Sequence, residues 1–278
     1  MTMLKMVVCI KQVPMVSELP WDSRTGTLKR EIAEGMMNPA CKHALEAALR
    51  IKQEQGGHIT VITMGPPMAA EVLYEALTLG ADRGILLTDK KMAGADTLIT
   101  SFTIARAIEK ECPEFDLLIC GSQTSDSETA QVGPQLAEEL KIPSAAYIES
   151  LECRGKSIRM KRLSDDFLET LEMDLPGLVT ITTRHFHPRY ATLSGLEDAF
   201  QFSDITILSA EDLGLSPDCI GMKASPTRIL DVFSITAEKE NYVMKGAVKK
   251  ILEDVFEKFG DRISSAMGKD LKTHEHSD

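Results

Sequence analysis

The chain has 278 residues, with 42 Asp and Glu against 31 Lys and Arg, so its net charge is -11. That balance argues against nucleic acid or an anionic membrane surface as the main partner, and no apolar run is long enough to span a bilayer. The length suits one large domain or one and a half, and the six cysteines include no Cys-x-x-Cys pair. This fits reduced cytoplasmic thiols and argues against a disulfide framework or a zinc or iron–sulfur site.

Lys5 to Lys11 reads as a first strand that begins at once, without the layout of a signal peptide. Pro39 to Gln55 reads as a helix with Ala44, Ala47, Ala48 and Ile51 on one face. His58 to Met64 is a second strand, stopped by Gly65-Pro66-Pro67, and Ala69 to Leu79 a second helix. Arg83 to Thr88, Thr97 to Glu111 and Phe115 to Cys120 continue the alternation as strand, helix and strand. Such a pattern predicts an α/β fold, Rossmann-like, with a mostly parallel sheet flanked by helices and ligands at the carboxyl ends of the strands.

The stretch Gly121 to Pro134 follows that fourth strand and leads into the helical run Gln135–Leu140. Gly121 and Gly133 let backbone approach a ligand, Pro134 suits a first helical turn, and free N–H groups there attract phosphate. Asp126 and Glu128 are able to accept from ribose hydroxyls. A plain strand-to-helix connection fits the same residues.

After Pro143 the pattern changes. Ala145–Leu151, Ser157–Leu163 and Leu168–Leu175 resemble strands joined by tight turns, more antiparallel, and Gly177–Thr183 adds another β-branched run. The nucleotide-type domain is expected to end at residue 207. From Leu208 onward, Pro217, Gly221 and Pro226 suggest an extended arm over residues 208–278, ending in an amphipathic helix from about Asn241 to Phe259. Val248, Ile251, Leu252, Val255 and Phe256 share one face of it, to be buried on its own domain or on a second chain. His274 and His276 read as solvated tail residues.

Several motifs in the same order resemble the β subunit of electron transfer flavoprotein over nearly the whole chain. They are the opening Val8-Cys9-Ile10-Lys11-Gln12-Val13-Pro14, Asn38-Pro39, Val61-Ile62-Thr63-Met64-Gly65-Pro66-Pro67, Gly80–Leu86, Leu168–Pro176 and Pro188-Arg189-Tyr190-Ala191-Thr192-Leu193. The resemblance implies a partner α subunit carrying the electron-transferring FAD. In one branch the β subunit holds a structural AMP. In the electron-bifurcating branch a second FAD takes that place and accepts hydride from NADH. Thr129-Ala130-Gln131-Val132-Gly133-Pro134, Met64–Pro67 and Ser225-Pro226-Thr227 look like the bifurcating version, whereas Asp126-Ser127-Glu128-Thr129 stands where that branch reads Asp-Gly-Asp-Thr.

Carried over by resemblance, the adenosine pocket comprises Cys9, Asn38, Pro39, Ala40, Cys41, Met64, Gly121, Asp126, Thr129, Ala130, Gln131, Val132, Gly133 and Pro134. Ser225, Pro226 and Thr227 would touch a flavin ring or diphosphate. Asn38 alone also reads as an N-cap, Cys9 and Cys41 as core thiols, Ser225–Thr227 as a turn, and Arg228 as a phosphate partner or a surface ion. Leu193 stands where the family presents a leucine, here on a loop, to a flavin dehydrogenase such as an acyl-CoA dehydrogenase. Glu169 reads as solvated or as approaching the α-subunit flavin. No Ser-His-Asp order, metal spacing or phosphate-binding Gly-rich loop with Lys suggests other chemistry, so the reactivity expected is the flavin's. Three functions remain open: a bifurcating subunit passing electrons to ferredoxin or flavodoxin and to the α subunit, an AMP-holding structural subunit, and a nucleotide-binding regulatory module.

Overall fold

Short β-branched runs and longer Ala- and Leu-rich stretches alternate, and each takes the element its period favours. The computed structural model describes residues 3–15, 21–22, 27–28, 34–227 and 242–274, with backbone alone at 21–22, 27–28 and 267–274. In chain order the elements begin β1 (Lys5–Cys9), β2 (Gln12–Pro14), β3 (Trp21–Asp22), β4 (Thr27–Leu28), β5 (Gly35–Met37), α1 (Pro39–Gln55), β6 (His58–Met64) and α2 (Ala70–Leu79). They continue with β7 (Arg83–Leu87), α3 (Thr97–Glu111), β8 (Leu117–Gly121), α4 (Val132–Glu139), β9 (Ser144–Arg154), β10 (Ser157–Ser164) and β11 (Phe167–Asp174). Last come β12 (Gly177–Ile181), α5 (Leu193–Phe202), β13 (Ile205–Leu208), α6 (Gly221–Ala224) and α7 (Val248–His274).

The main sheet has nine strands in the order β11-β10-β9-β12-β8-β1-β6-β7-β13. Neighbours from β9 through β13 pair in parallel, and β9, β10 and β11 form the expected antiparallel meander at one edge. β12 returns to pair between β8 and β9, so its five residues are all buried, as two-sided cover demands. Along β1, Met6 and Val8 enter the cluster holding Leu45, Leu73 and Ile119, whereas Val7 and Cys9 enter the one holding Ile108, Leu118 and Leu136. The period-2 alternation of a strand thus feeds two cores, one on each sheet face.

Local signals fix the helix ends. Pro39 opens α1 and Gly56 ends it at φ 77°, while the Asp96 side chain accepts from Ile99 N at the start of α3. The chain steps from β1 outward to β6 and β7, then crosses back to place β8 on the other side of β1. The carboxyl ends of β1 and β8 therefore form a topological switch point, where open α/β sheets bind ligands.

Two expectations change. Residues 208–227 are not an arm: Leu208, Ala210 and Ile220 are buried in the cluster with Val7 and Ile104. Isolated apolar residues at irregular spacing fill gaps in a core without producing a periodic signal. The first compact unit accordingly spans Met1–Asp231 and the second Val232–Asp278. The terminal helix also starts later, at Val248, and Arg228, Asn241 and His276 lie outside the described residues. Within the second unit Val248, Leu252 and Phe256 stand exposed on α7.

Candidate functional site

Thiols stand at the switch point. Cys9 ends β1 opposite Cys120 of β8, and both are buried, as is Cys41 one turn into α1. The hydrogen bond to Cys120, then burial, push the Cys9 thiol well above its ordinary range, and burial pushes Cys41 up. Thiols so buried are apolar and unreactive, and Cys9 belongs to one core cluster whereas Cys41 belongs to the other. Met64 ends β6 on the other side of β1, half-buried against the Cys9 cluster.

Asn38 occupies the N-cap position of α1, yet its side chain makes no cap hydrogen bond. Instead Nδ2 donates to Gln123 O at 2.9 Å and to Cys41 Sγ at 3.3 Å, and Oδ1 accepts from Ser125 N at 3.0 Å. Its polar atoms are spent on fastening the loop after β8, not on capping. Asp126 likewise does not wait for a ribose: both its oxygens accept from Lys11 Nζ at 2.8 Å. Replacing Asn38 with Ala removes its bonds to Gln123 O and Ser125 N, which are only part-buried, and each such bond contributes about 0.5–1.5 kcal/mol. Chemical denaturation should register that loss.

Beyond Asp126 the loop is strained. Glu128 and Ala130 hold φ of 48° and 54°, a left-handed conformation costing a non-glycine residue about 1–2 kcal/mol, and exposed Thr129 lies between them. Ser127 is not among the positive-φ residues, so the position that reads glycine in the resembling branch tolerates a side chain here. Ala130→Gly should therefore raise the unfolding free energy by up to about 1 kcal/mol, unfolded-state entropy offsetting part of the relief, as measured by urea titration.

α4 then begins at Val132 behind Gln131, with no side-chain cap. Its first N–H groups are left for an anion, helped by the helix dipole. Ala40 and Cys41, behind Pro39 at the start of α1, meet Gly121 from the α1 side, and a Cβ on Gly121 would lie 2.8 Å from the Ala40 backbone. A Cβ on Gly133 would lie 2.6 Å from Thr180 Cγ2. Both glycines thus serve protein–protein approach, a different reason from the close ligand approach expected of them. Pro134 sits in the first turn of α4.

α3 begins beside α4, and here the chain supplies residues that sequence reasoning missed. Thr97 Oγ1 donates to Gln131 Oε1 at 2.8 Å. Asp96 N donates to Ser225 Oγ at 2.9 Å, and Asp96 Oδ2 accepts from Thr227 N at 2.9 Å. Ser225 is buried and donates on to Gly221 O. Burial pushes the Asp96 carboxyl up, but the Ile99 and Thr227 N–H bonds outweigh it and hold it below its ordinary range. Ser225-Pro226-Thr227, nearly a hundred residues downstream of Gln131, are thereby tied to the same helix start. The Asp96-Thr97 pair signalled only a helix start in the sequence. Its side chains nonetheless link two parts of the site.

Away from these strand ends, Leu193 is 87% exposed. It is the first residue of α5, behind the N-cap Thr192 whose Oγ1 accepts from Gly195 N, and not a loop residue as expected. Tyr190, Phe200 and Phe202 are exposed around it. The lead-in is pinned by Arg189, whose N, Nε and Nη2 all donate to buried Glu46 on α1. Glu169 on β11 pairs with Arg162 on β10 at 2.5 Å.

The electron transfer flavoprotein domain model matches residues 25–205. The chain is 38% identical over 259 residues to the electron transfer flavoprotein subunit beta of Thermoanaerobacterium thermosaccharolyticum, covering 93% of this chain and 99% of that one. It is 41% identical over 260 residues to the caffeyl-CoA reductase-Etf complex subunit CarD of Acetobacterium woodii, covering 90% and 98%. With the acryloyl-CoA reductase electron transfer subunit gamma of Anaerotignum propionicum it shares 36% over 261 residues, covering 92% and 97%.

Proposed function

Because this chain belongs to the electron transfer flavoprotein family, as a β subunit, we propose that it holds FAD at the β1–β8 switch point and works in the bifurcating manner. The adenosine would lie over Cys9, Cys41 and Met64, and the diphosphate against the uncapped start of α4. The donor set fits: open N–H groups favour phosphate, and neutral thiols favour a ring over a charge. The observation that carries FAD over AMP is the Asp96 clasp, which brings Ser225, Pro226 and Thr227 beside Gln131. An AMP would end at α4, whereas a longer FAD would reach this second wall.

When bound, FAD would take a hydride from NADH and release its two electrons singly, one to ferredoxin or flavodoxin and one to the FAD of the α subunit. This chain's own residues bind and orient. Asn38 and Lys11 fix the loop, the α4 N–H groups stabilise negative charge, and Asp96 fixes the 225–227 wall. Tyr190, Leu193 and Phe200 would dock a flavin dehydrogenase such as an acyl-CoA dehydrogenase; the name of the Acetobacterium woodii relative, a caffeyl-CoA reductase–Etf complex subunit, favours a CoA-ester reductase. The exposed stripe of α7 would pack on the α subunit. A cytoplasmic setting is part of the same reading; no helix among the described residues is long and apolar enough to cross a membrane.

The test is the nucleotide content of the chain co-purified with its α subunit. Two FAD per heterodimer and flavin reduction by NADH are expected. One FAD and one AMP would instead give the site to the structural nucleotide and end the bifurcation reading.

A further inference from the structure

Thr97 opens α3, and Gln131 stands directly ahead of α4. The two helix starts are joined by their side chains, Thr97 Oγ1 donating to Gln131 Oε1 at 2.8 Å. A carboxamide has an acceptor end and a donor end, so this bond decides which way it points. Oε1 is turned to α3, and the Nε2 donors make no hydrogen bond among the described residues. Gln131 is exposed, so those donors are open to a ligand. The start of α4 is otherwise short of them. Pro134 in its first turn has no N–H, which leaves the N–H groups of Val132 and Gly133 there. Asp96, next to Thr97, takes Thr227 N, so one helix start reaches both walls of the pocket.

We infer that Thr97 is a positioning residue: it holds the Gln131 amide with its N–H groups toward the nucleotide, and so gives the phosphate oxygens a donor-only surface. The inference rests on the reading of this pocket as a nucleotide site. Left free, the amide of an exposed glutamine turns about its last torsion, which is broad and nearly two-fold. It then offers carbonyl lone pairs to the ligand as readily as N–H groups. An ionised phosphate accepts and does not donate, so those orientations repel it. Thr97 is suited to the task because its short β-branched side chain has few rotamers. The contact is solvent-exposed, and a nucleotide lying over it would remove the water that competes with it.

The experiment uses the heterodimer with its α subunit and follows release of bound adenine nucleotide by gel filtration and chromatography of the released bases. Thr97→Val keeps the shape and removes the hydroxyl, and should release nucleotide about three- to tenfold faster, as loss of one hydrogen bond implies. Thr97→Ser should hold it as wild type does. Added to Gln131→Ala, Thr97→Val should cause no further loss, because the amide it orients is gone. Gln131→Glu still accepts from Thr97 but turns lone pairs to the phosphate, so it should release nucleotide faster than Gln131→Ala. Thr97→Ala, a strong helix former, gives the same comparison if Thr97→Val does not fold. Wild-type retention in both Thr97 variants overturns the inference. So does an equal loss from Thr97→Val with and without Gln131, or a Gln131→Glu that retains nucleotide as well as Gln131→Ala. A wild-type heterodimer without any adenine nucleotide overturns the pocket reading, and this inference with it.

Discussion

Replacing Glu46 with Gln should destabilise the protein by about 2–3 kcal/mol and loosen the segment that leads to Leu193. Removing one member of a buried ion pair costs about 3–5 kcal/mol, and that range is discounted here because the two guanidinium partners keep access to water, Arg189 being 35% and Arg50 44% exposed. Glu46 itself is 6% exposed and takes Arg189 through two nitrogens at 2.8 and 3.2 Å and Arg50 at 3.0 Å. Arg50 in turn lies over the Phe186 ring at 5.6 Å, so the cluster grips the chain at both 186 and 189. Hydrogen exchange should rise across residues 186–192, while α3 and β8 stay protected. The same clasp has an acid limit. Burial pushes the Glu46 carboxyl up, and the Arg189 and Arg50 bonds outweigh it, leaving it below the ordinary value of 4.5. Its stabilisation is complete above about pH 4.5 and disappears as pH falls through the lower folded value. An acid titration of the thermal midpoint should therefore show a smaller drop in Glu46→Gln than in wild type.

Gly221→Ala should have the largest local effect. Gly221 holds φ 64°, and a Cβ there would stand 2.0 Å from Lys91 O and 3.3 Å from Ala93 O. The left-handed backbone alone costs Ala about 1–2 kcal/mol, and contact with backbone oxygen cannot be relieved by a rotamer change. α6 must leave its seat, and with it go the Met222 N to Ala93 O bond and the Ser225 and Thr227 bonds to Asp96. Under the proposed function the second wall of the pocket is then lost while the loop after β8 is untouched. The expected outcome is a heterodimer that still binds AMP but retains FAD at the β site poorly, read as the ratio of the two nucleotides after purification. Equal retention of FAD by wild type and variant would mean that the 225–227 segment does not contribute to the site.

Much of the scaffold was legible because its signals are local. The helices Pro39–Gln55 and Thr97–Glu111 and the strand His58–Met64 stand as expected, since Pro39, Gly56 and Asp96 punctuate strong apolar periods. The site was legible only in outline. Residues 121–134 and Asn38 do meet at the β1–β8 switch point, but the side chains divide their labour differently. Asn38 fastens Gln123 and Ser125, Asp126 is taken by Lys11, and the glycines at 121 and 133 admit protein neighbours. A carboxylate or amide in a loop reads the same whether it faces ligand or lysine, because its partner is far away in sequence.

The sequence by itself determined the α/β class, the strand and helix periods and the family. Each follows from the identity and spacing of neighbouring residues. Tertiary structure alone decided that residues 208–227 belong to the core, that Leu193 opens a helix, and that Asp96, Lys11 and Glu46 hold distant segments together. Those outcomes depend on contacts separated by up to 143 positions, and such pairings arise only when the parallel sheet brings its strand ends side by side.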